Sequence, residues 1–134
     1  MPTVIRISER YAVTDRRREV RGALGWQVTS GIWSPPTDLY ERQAEYVVSL
    51  ELAGMEESDF EIVYDTGVLV IGGSRPDAGE RRAYHQMEIR FGKFSSAVAL
   101  PGPVDLDAAH AEYRNGFLTV RLPKAKRTDV KIED

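Results

Sequence analysis

The sequence predicts an all-β chain folded as an immunoglobulin-like antiparallel β-sandwich. Three observations predict it. Short runs in which apolar and polar residues alternate recur between Tyr46 and Leu122. Glycine, proline and asparagine separate those runs at turn positions. No part of this region keeps the 3.6-residue period of an amphipathic helix.

Residues 1–34 read as an arm, residues 35–124 as the sandwich and residues 125–134 as a short extension. The arm has scattered apolar residues and glycines at 22, 25 and 31, with neither period sustained, so no firm structure is assigned to it. A short helix after Thr14, with that threonine as N-cap, is the one local alternative. Pro35-Pro36 marks the domain boundary.

Tyr46, Val48, Leu50 and Leu52 alternate with Val47, Ser49 and Glu51, which is the period of a half-buried strand ending at Gly54. Phe60, Ile62 and Tyr64 form the next, and Asp65-Thr66-Gly67 a tight turn. Val68-Leu69-Val70-Ile71 is continuously apolar, as expected of a strand covered on both faces. Gly72 to Gly92 is the longest interruption, opening on a loop at Gly72-Gly73-Ser74-Arg75-Pro76. Within it Tyr84, Gln86 and Glu88 alternate with His85, Met87 and Ile89, so a short separate strand fits there; the plain alternative is a floppy surface loop. Phe94 to Leu100 is strand-like and stops at Pro101-Gly102-Pro103, and Asp105 and Asp107 favour a turn by bonding backbone amides. Ala111–Arg114 and Phe117–Leu122 flank Asn115-Gly116, the strongest short hairpin signal.

The 134 residues carry a net charge of −3, which gives no global reason to expect nucleic acid or an anionic membrane as partner. Residues 1–34 hold six arginines against Glu9, Asp15 and Glu19, whereas residues 35–124 hold nine bases against fifteen acids. A basic arm on an acidic body steers self-association or is simply a solvated tail. Cysteine is absent, which excludes disulfides, thiolate catalysis and cysteine metal sites. With no signal-peptide h-region and no apolar run of spanning length, a cytoplasmic protein is expected. Gly92-Lys93 lacks the earlier glycine of a phosphate-binding loop, and Gly72-Gly73-Ser74 lacks the context of a nucleophile elbow. His85 and His110 are not spaced as metal ligands. No catalytic residue, metal site or cofactor is assigned.

The order of motifs resembles the small heat-shock protein family, of bacterial or archaeal type, over about Trp33 to Ile132. Trp33-Ser-Pro-Pro-Thr-Asp38-Leu-Tyr40-Glu41 resembles the approach to that family's first domain strand. Glu51-Leu52-Ala53-Gly54-Met55, with Asp59-Phe60 after it, is similar to the segment usually written Leu-Pro-Gly. Leu69 to Arg75 and Tyr84 to Phe94 resemble the strand into the long loop and the Glu-Arg-Arg-x-Gly-x-Phe stretch. Leu100-Pro101, Ala111-Glu-Tyr-Arg-Asn115-Gly116-Phe117-Leu118 and Leu122-Pro123-Lys124 carry the most specific part. Val130-Lys131-Ile132 resembles the family's I-x-I tail motif. Two departures stand out: Ala53 replaces the usual proline, and Ser95-Ser96 lacks an arginine that would make a dimer ion pair.

The resemblance implies an α-crystallin-type sandwich acting as an ATP-independent holdase, not an enzyme, assembled as an oligomer of dimers. It implies that Tyr84, His85, Gln86, Met87 and Glu88 of one chain meet Asp38, Leu39, Tyr40 and Glu41 of another in a strand-exchanged dimer. It also implies that Val130 and Ile132 dock in a neighbour's groove formed by Phe60, Ile62, Tyr64, Ala111 and Tyr113. Two aliphatics at i, i+2 project to one side of an extended segment and enter one groove together. The alternative is an incidental pair on a disordered terminus. Arm residues Ile5, Trp26, Ile32 and Trp33 are large, apolar and outside the core pattern, which makes them candidates for client capture or for packing inside the oligomer. Expected partners are copies of this chain, unfolded client proteins and, downstream, ATP-driven chaperones. The runner-up is a monomeric co-chaperone adapter of the CS-domain kind, which needs neither tail motif nor exchanged loop.

Overall fold

The computed structural model describes residues 3–5, 7–9 and 31–126; of residues 3–5 and 7–9 only Ile7 is described beyond its backbone. Among the described residues nine strands form two sheets: β1 (Thr3–Ile5), β2 (Ile7–Glu9), β3 (Thr37–Glu41), β4 (Glu45–Glu51), β5 (Phe60–Asp65), β6 (Val68–Arg75), β7 (Gly92–Ala99), β8 (His110–Arg114) and β9 (Phe117–Pro123). One sheet runs β1-β8-β9-β4-β3, the other β2-β5-β6-β7. Every pairing is antiparallel except that of β2 with β5.

The predicted alternation sets the core. Val48 and Leu50 of β4, with Leu52 just beyond it, face Phe60 and Ile62 of β5 and Leu69 and Ile71 of β6 in one buried cluster. Leu118, Val120 and Leu122 of β9 join it. Val70 is also buried although it lies outside that cluster, in keeping with a strand covered on both faces. The last hairpin follows its turn chemistry, with Asn115 at φ 53° and Gly116 at φ 80°.

Three local expectations are corrected. Gly72-Gly73-Ser74-Arg75 is not loop: β6 continues to Arg75 and pairs with β7 as far as Gly92. The glycine at 73 is there because another backbone crosses it. A Cβ at that position would lie 2.1 Å from the Asp59 carbonyl oxygen and 2.7 Å from the Phe60 Cα. The turn at Leu106–Ala108 forms, but Asp105 makes no side-chain cap; the Ala108 amide donates to the Asp105 carbonyl instead. Finally, the arm contributes β1 and β2 to the edges of the sandwich, and the possible helix after Thr14 falls outside the described residues.

Candidate functional site

The sandwich has two open sides, and each combines an edge of one sheet with an edge of the other. On the first side lie β3 and β7. The chain arrives at Trp33, whose amide donates to the Lys93 carbonyl and whose carbonyl accepts from the Ser95 amide, then crosses to pair β3 with β4. The Trp33 indole donates to the Gly92 carbonyl at 3.2 Å, and its ring stands 5.5 Å from that of Phe94. The Arg75 guanidinium lies 4.4 Å over the same ring and donates to the Arg90 carbonyl, so one residue ties both ends of segment 76–91 to the indole.

Trp33 is therefore only 8% exposed, and its expected place among the arm's client-facing residues is corrected to the domain core. Its burial depends on Phe94 and Arg75, both distant in sequence. Ile32 is half-buried beside it. Trp26 lies outside the described residues, and the Ile5 backbone runs in β1. At the departure from the family pattern, the Ser96 hydroxyl pairs with that of Thr37 at 2.8 Å, joining β7 to β3 within one chain.

Asp38, Leu39, Tyr40 and Glu41 occupy β3, the last strand of its sheet, and are exposed. Leu39 is 37% and Tyr40 42% exposed. Residues 76–91 contain no strand, and Tyr84, His85, Gln86, Met87 and Glu88 are all exposed. Tyr84 is 46%, Met87 60% and Ile89 64% exposed, so this segment carries an apolar surface that its own sandwich does not cover. A strand pattern at 84–88 without strand structure is consistent with the physics: among the described residues of one chain no strand pairs with them. The segment also carries Arg82, whose pKa is raised by hydrogen bonding to Glu80 and then Tyr84; already a cation at any ordinary pH, it provides no switch.

On the second side lie β5 and β8. Phe60, Ile62 and Ala111 are buried there, while Tyr64 and Tyr113 are half-buried. The rings of Phe60 and Tyr113 meet edge to face at 5.5 Å, and the Tyr113 hydroxyl donates to the Leu52 carbonyl, which fixes the floor between the two sheets. The five residues expected to form a groove are thus brought together. Its mouth is taken by the chain's own start: Thr3, Val4 and Ile5 pair with Tyr113, Glu112 and Ala111, and Ile7, Ser8 and Glu9 with Ile62, Val63 and Tyr64. Ile7 packs against the core cluster. Sequence reading passed over this residue; the signal was the two-residue spacing of Ile5 and Ile7. The tail pair Val130 and Ile132 lies outside the described residues. Before it, the Lys124 amide donates to the Ala44 carbonyl and the Ala125 amide to the Pro103 carbonyl.

Among the described residues no cluster of three or more His, Asp or Glu side chains is placed to hold a metal. No helix there is long and apolar enough to cross a membrane.

Two sheets of this order, with an exposed edge strand, a long excursion after β6 and a groove between β5 and β8, define an α-crystallin-type β-sandwich. The sequence matches the Hsp20/alpha crystallin family over residues 38–133, and the chain belongs to that family. It is 31% identical over 102 residues to the small heat shock protein C4 of Rickettsia felis, covering 75% of this chain and 63% of that protein. The chain thus spans a little under two thirds of that relative's length. Among solved structures, heat shock protein 16.0 from Schizosaccharomyces pombe is similar at 32% identity and a TM-score of 0.64, over 75% of this chain and 96% of that one. A small heat-shock protein from Xylella fastidiosa is similar at 30% identity and a TM-score of 0.64, over 76% and 96%.

Proposed function

We propose that the chain is an ATP-independent holdase that works as an assembly of strand-exchanged dimers and performs no catalytic step. The observation that carries this reading is a pair of complementary, uncovered features on one chain. An edge strand exposes Leu39 and Tyr40, and an excursion exposes Tyr84, Met87 and Ile89. Exposed strand edges and exposed apolar segments are both association-prone, and pairing one with the other between two copies covers both. The absence of any strand within 76–91, whose ends are held together by Arg75 and Arg90, supports exchange rather than a local fold.

In the same reading the dimers are joined by tails. Val130 and Ile132 enter the groove of Phe60, Ile62, Tyr64, Ala111 and Tyr113 on a neighbour. From Ala125, the last amide bonded to the sandwich among the described residues, Val130 is five residues on, an extended reach of about 17 Å. Unfolding clients are held by apolar arm residues, of which Trp26 and Ile32 remain candidates. Many weak contacts summed over subunits suit unrelated clients.

The test is light scattering on the purified chain, run beside suppression of aggregation of a heat-labile protein without ATP. An assembly of many subunits that protects the client is expected, and the Val130→Gly, Ile132→Gly chain should fall toward dimers. A monomer that leaves the client unprotected defeats the reading in favour of an adapter. Unchanged particle size in the glycine variant removes the docking role of the tail.

A further inference from the structure

We propose that Thr3–Glu9 is a built-in plug for the groove between β5 and β8, so that a chain's own first residues compete there with the tail of a neighbouring chain. This inference rests on the tail docking proposed above and adds a control to it.

Occupancy is the first argument. A sheet edge offers one row of free backbone donors and acceptors, so it takes one strand at a time. Here β1 takes the edge of β8 from Tyr113 to Ala111, and β2 takes the edge of β5 from Ile62 to Tyr64. A second segment reaches those edges only after the first leaves.

Sequence likeness is the second. Thr3-Val4-Ile5-Arg6-Ile7-Ser8-Glu9 and Thr128-Asp129-Val130-Lys131-Ile132-Glu133-Asp134 share their order of chemistry: threonine, then a β-branched aliphatic, a cation, isoleucine and finally an acid at matching positions. Both place two β-branched residues at i, i+2, the spacing that puts neighbouring side chains on one face of an extended segment. The two ends of the chain therefore present the same recognition element to one site.

Modest anchoring is the third. β1 and β2 have three residues each, the short limit for strands, and Ile7 is only partly buried against the core. A plug of this kind lowers the apparent affinity for a tail by the fraction of time that the groove is open, and its release raises both tail docking and the exposure of the arm.

The experiment uses the full chain carrying Val130→Gly and Ile132→Gly, so that its own tail does not compete. A fluorescent peptide of residues 125–134 is titrated against it, with and without Ile5→Gly and Ile7→Gly. Removing the plug should tighten peptide binding by about 10-fold if the groove is open about a tenth of the time. An excess of unlabelled peptide of residues 1–10 should displace the tail peptide from the opened protein, and a scrambled version should not. Equal affinity for plugged and unplugged protein overturns the competition while leaving tail docking in place, and so does failure of the residue 1–10 peptide to displace. Absence of binding to both proteins overturns tail docking and the competition together.

Discussion

On one side of the sandwich the chain bonds β7 through Trp33 and then β4 through β3; on the other it bonds β8 through β1 and then β5 through β2. Both crossings use the same device, a single extended segment that steps from one sheet to the other and closes the gap between them. They differ in what is buried at the step. Trp33 inserts a whole indole against Phe94, with Arg75 stacked above it. The N-terminal crossing has a partly buried Ile7 at its β5 end. A crossing that buries a large aromatic is part of the fold. One whose described contact with the core is the partly buried Ile7 is, in the reading proposed above, a closure that a competing segment replaces.

The largest expected effect tests the first half of that comparison. Trp33→Ala should cost about 3–5 kcal/mol of stability, since it empties a core position and frees both ends of segment 76–91 from their shared anchor. Denaturant unfolding at fixed protein concentration measures it, and a loss of under 1 kcal/mol would place Trp33 outside the fold's essential contacts. Ile7→Ala is expected to cost about 1 kcal/mol, in proportion to its partial burial. If the two losses are equal, the two crossings are not different in kind.

What could be read in the sequence follows the same division between local and distant causes. The Asn115-Gly116 hairpin was legible because its cause is contained in two residues that tolerate positive φ. The alternation from Tyr46 to Leu52 was legible because a period of two states which face is buried. The continuation of β6 through Gly72 and Gly73 was not, because the need for glycine comes from the Asp59 and Phe60 backbone passing over position 73. Trp33 was misplaced for a like reason: nothing in its neighbours announces Phe94 and Arg75. The expected groove residues rest on the family resemblance, and the segment lying over them was missed because Ile5 and Ile7 alternate over too few residues to sustain a period.

The smallest expected effect sharpens the comparison between local and distant causes within a pair of hairpins. Both Asp65-Thr66-Gly67-Val68 and Arg114-Asn115-Gly116-Phe117 close through two residues of positive φ, but one places a β-branched threonine at φ 48° where the other has asparagine at φ 53°. Left-handed backbone costs an L-residue about 1–2 kcal/mol, least for asparagine and most for β-branched side chains. Against that cost stands the Thr66 hydroxyl, which donates to the Asp65 carboxylate at 2.8 Å; a hydrogen bond to a charged acceptor contributes about 1.5–3 kcal/mol. The contact is the larger, so Thr66→Asn should lower stability by about 0.5–1 kcal/mol, read as a lower denaturant midpoint at unchanged slope. That outcome makes the β5–β6 hairpin one whose turn is held by its side chains, through Asp65, a buried residue at the end of β5, unlike the β8–β9 hairpin, where the backbone preference of Asn115-Gly116 suffices. A higher midpoint would mean that the turn conformation outweighs the hydroxyl contact.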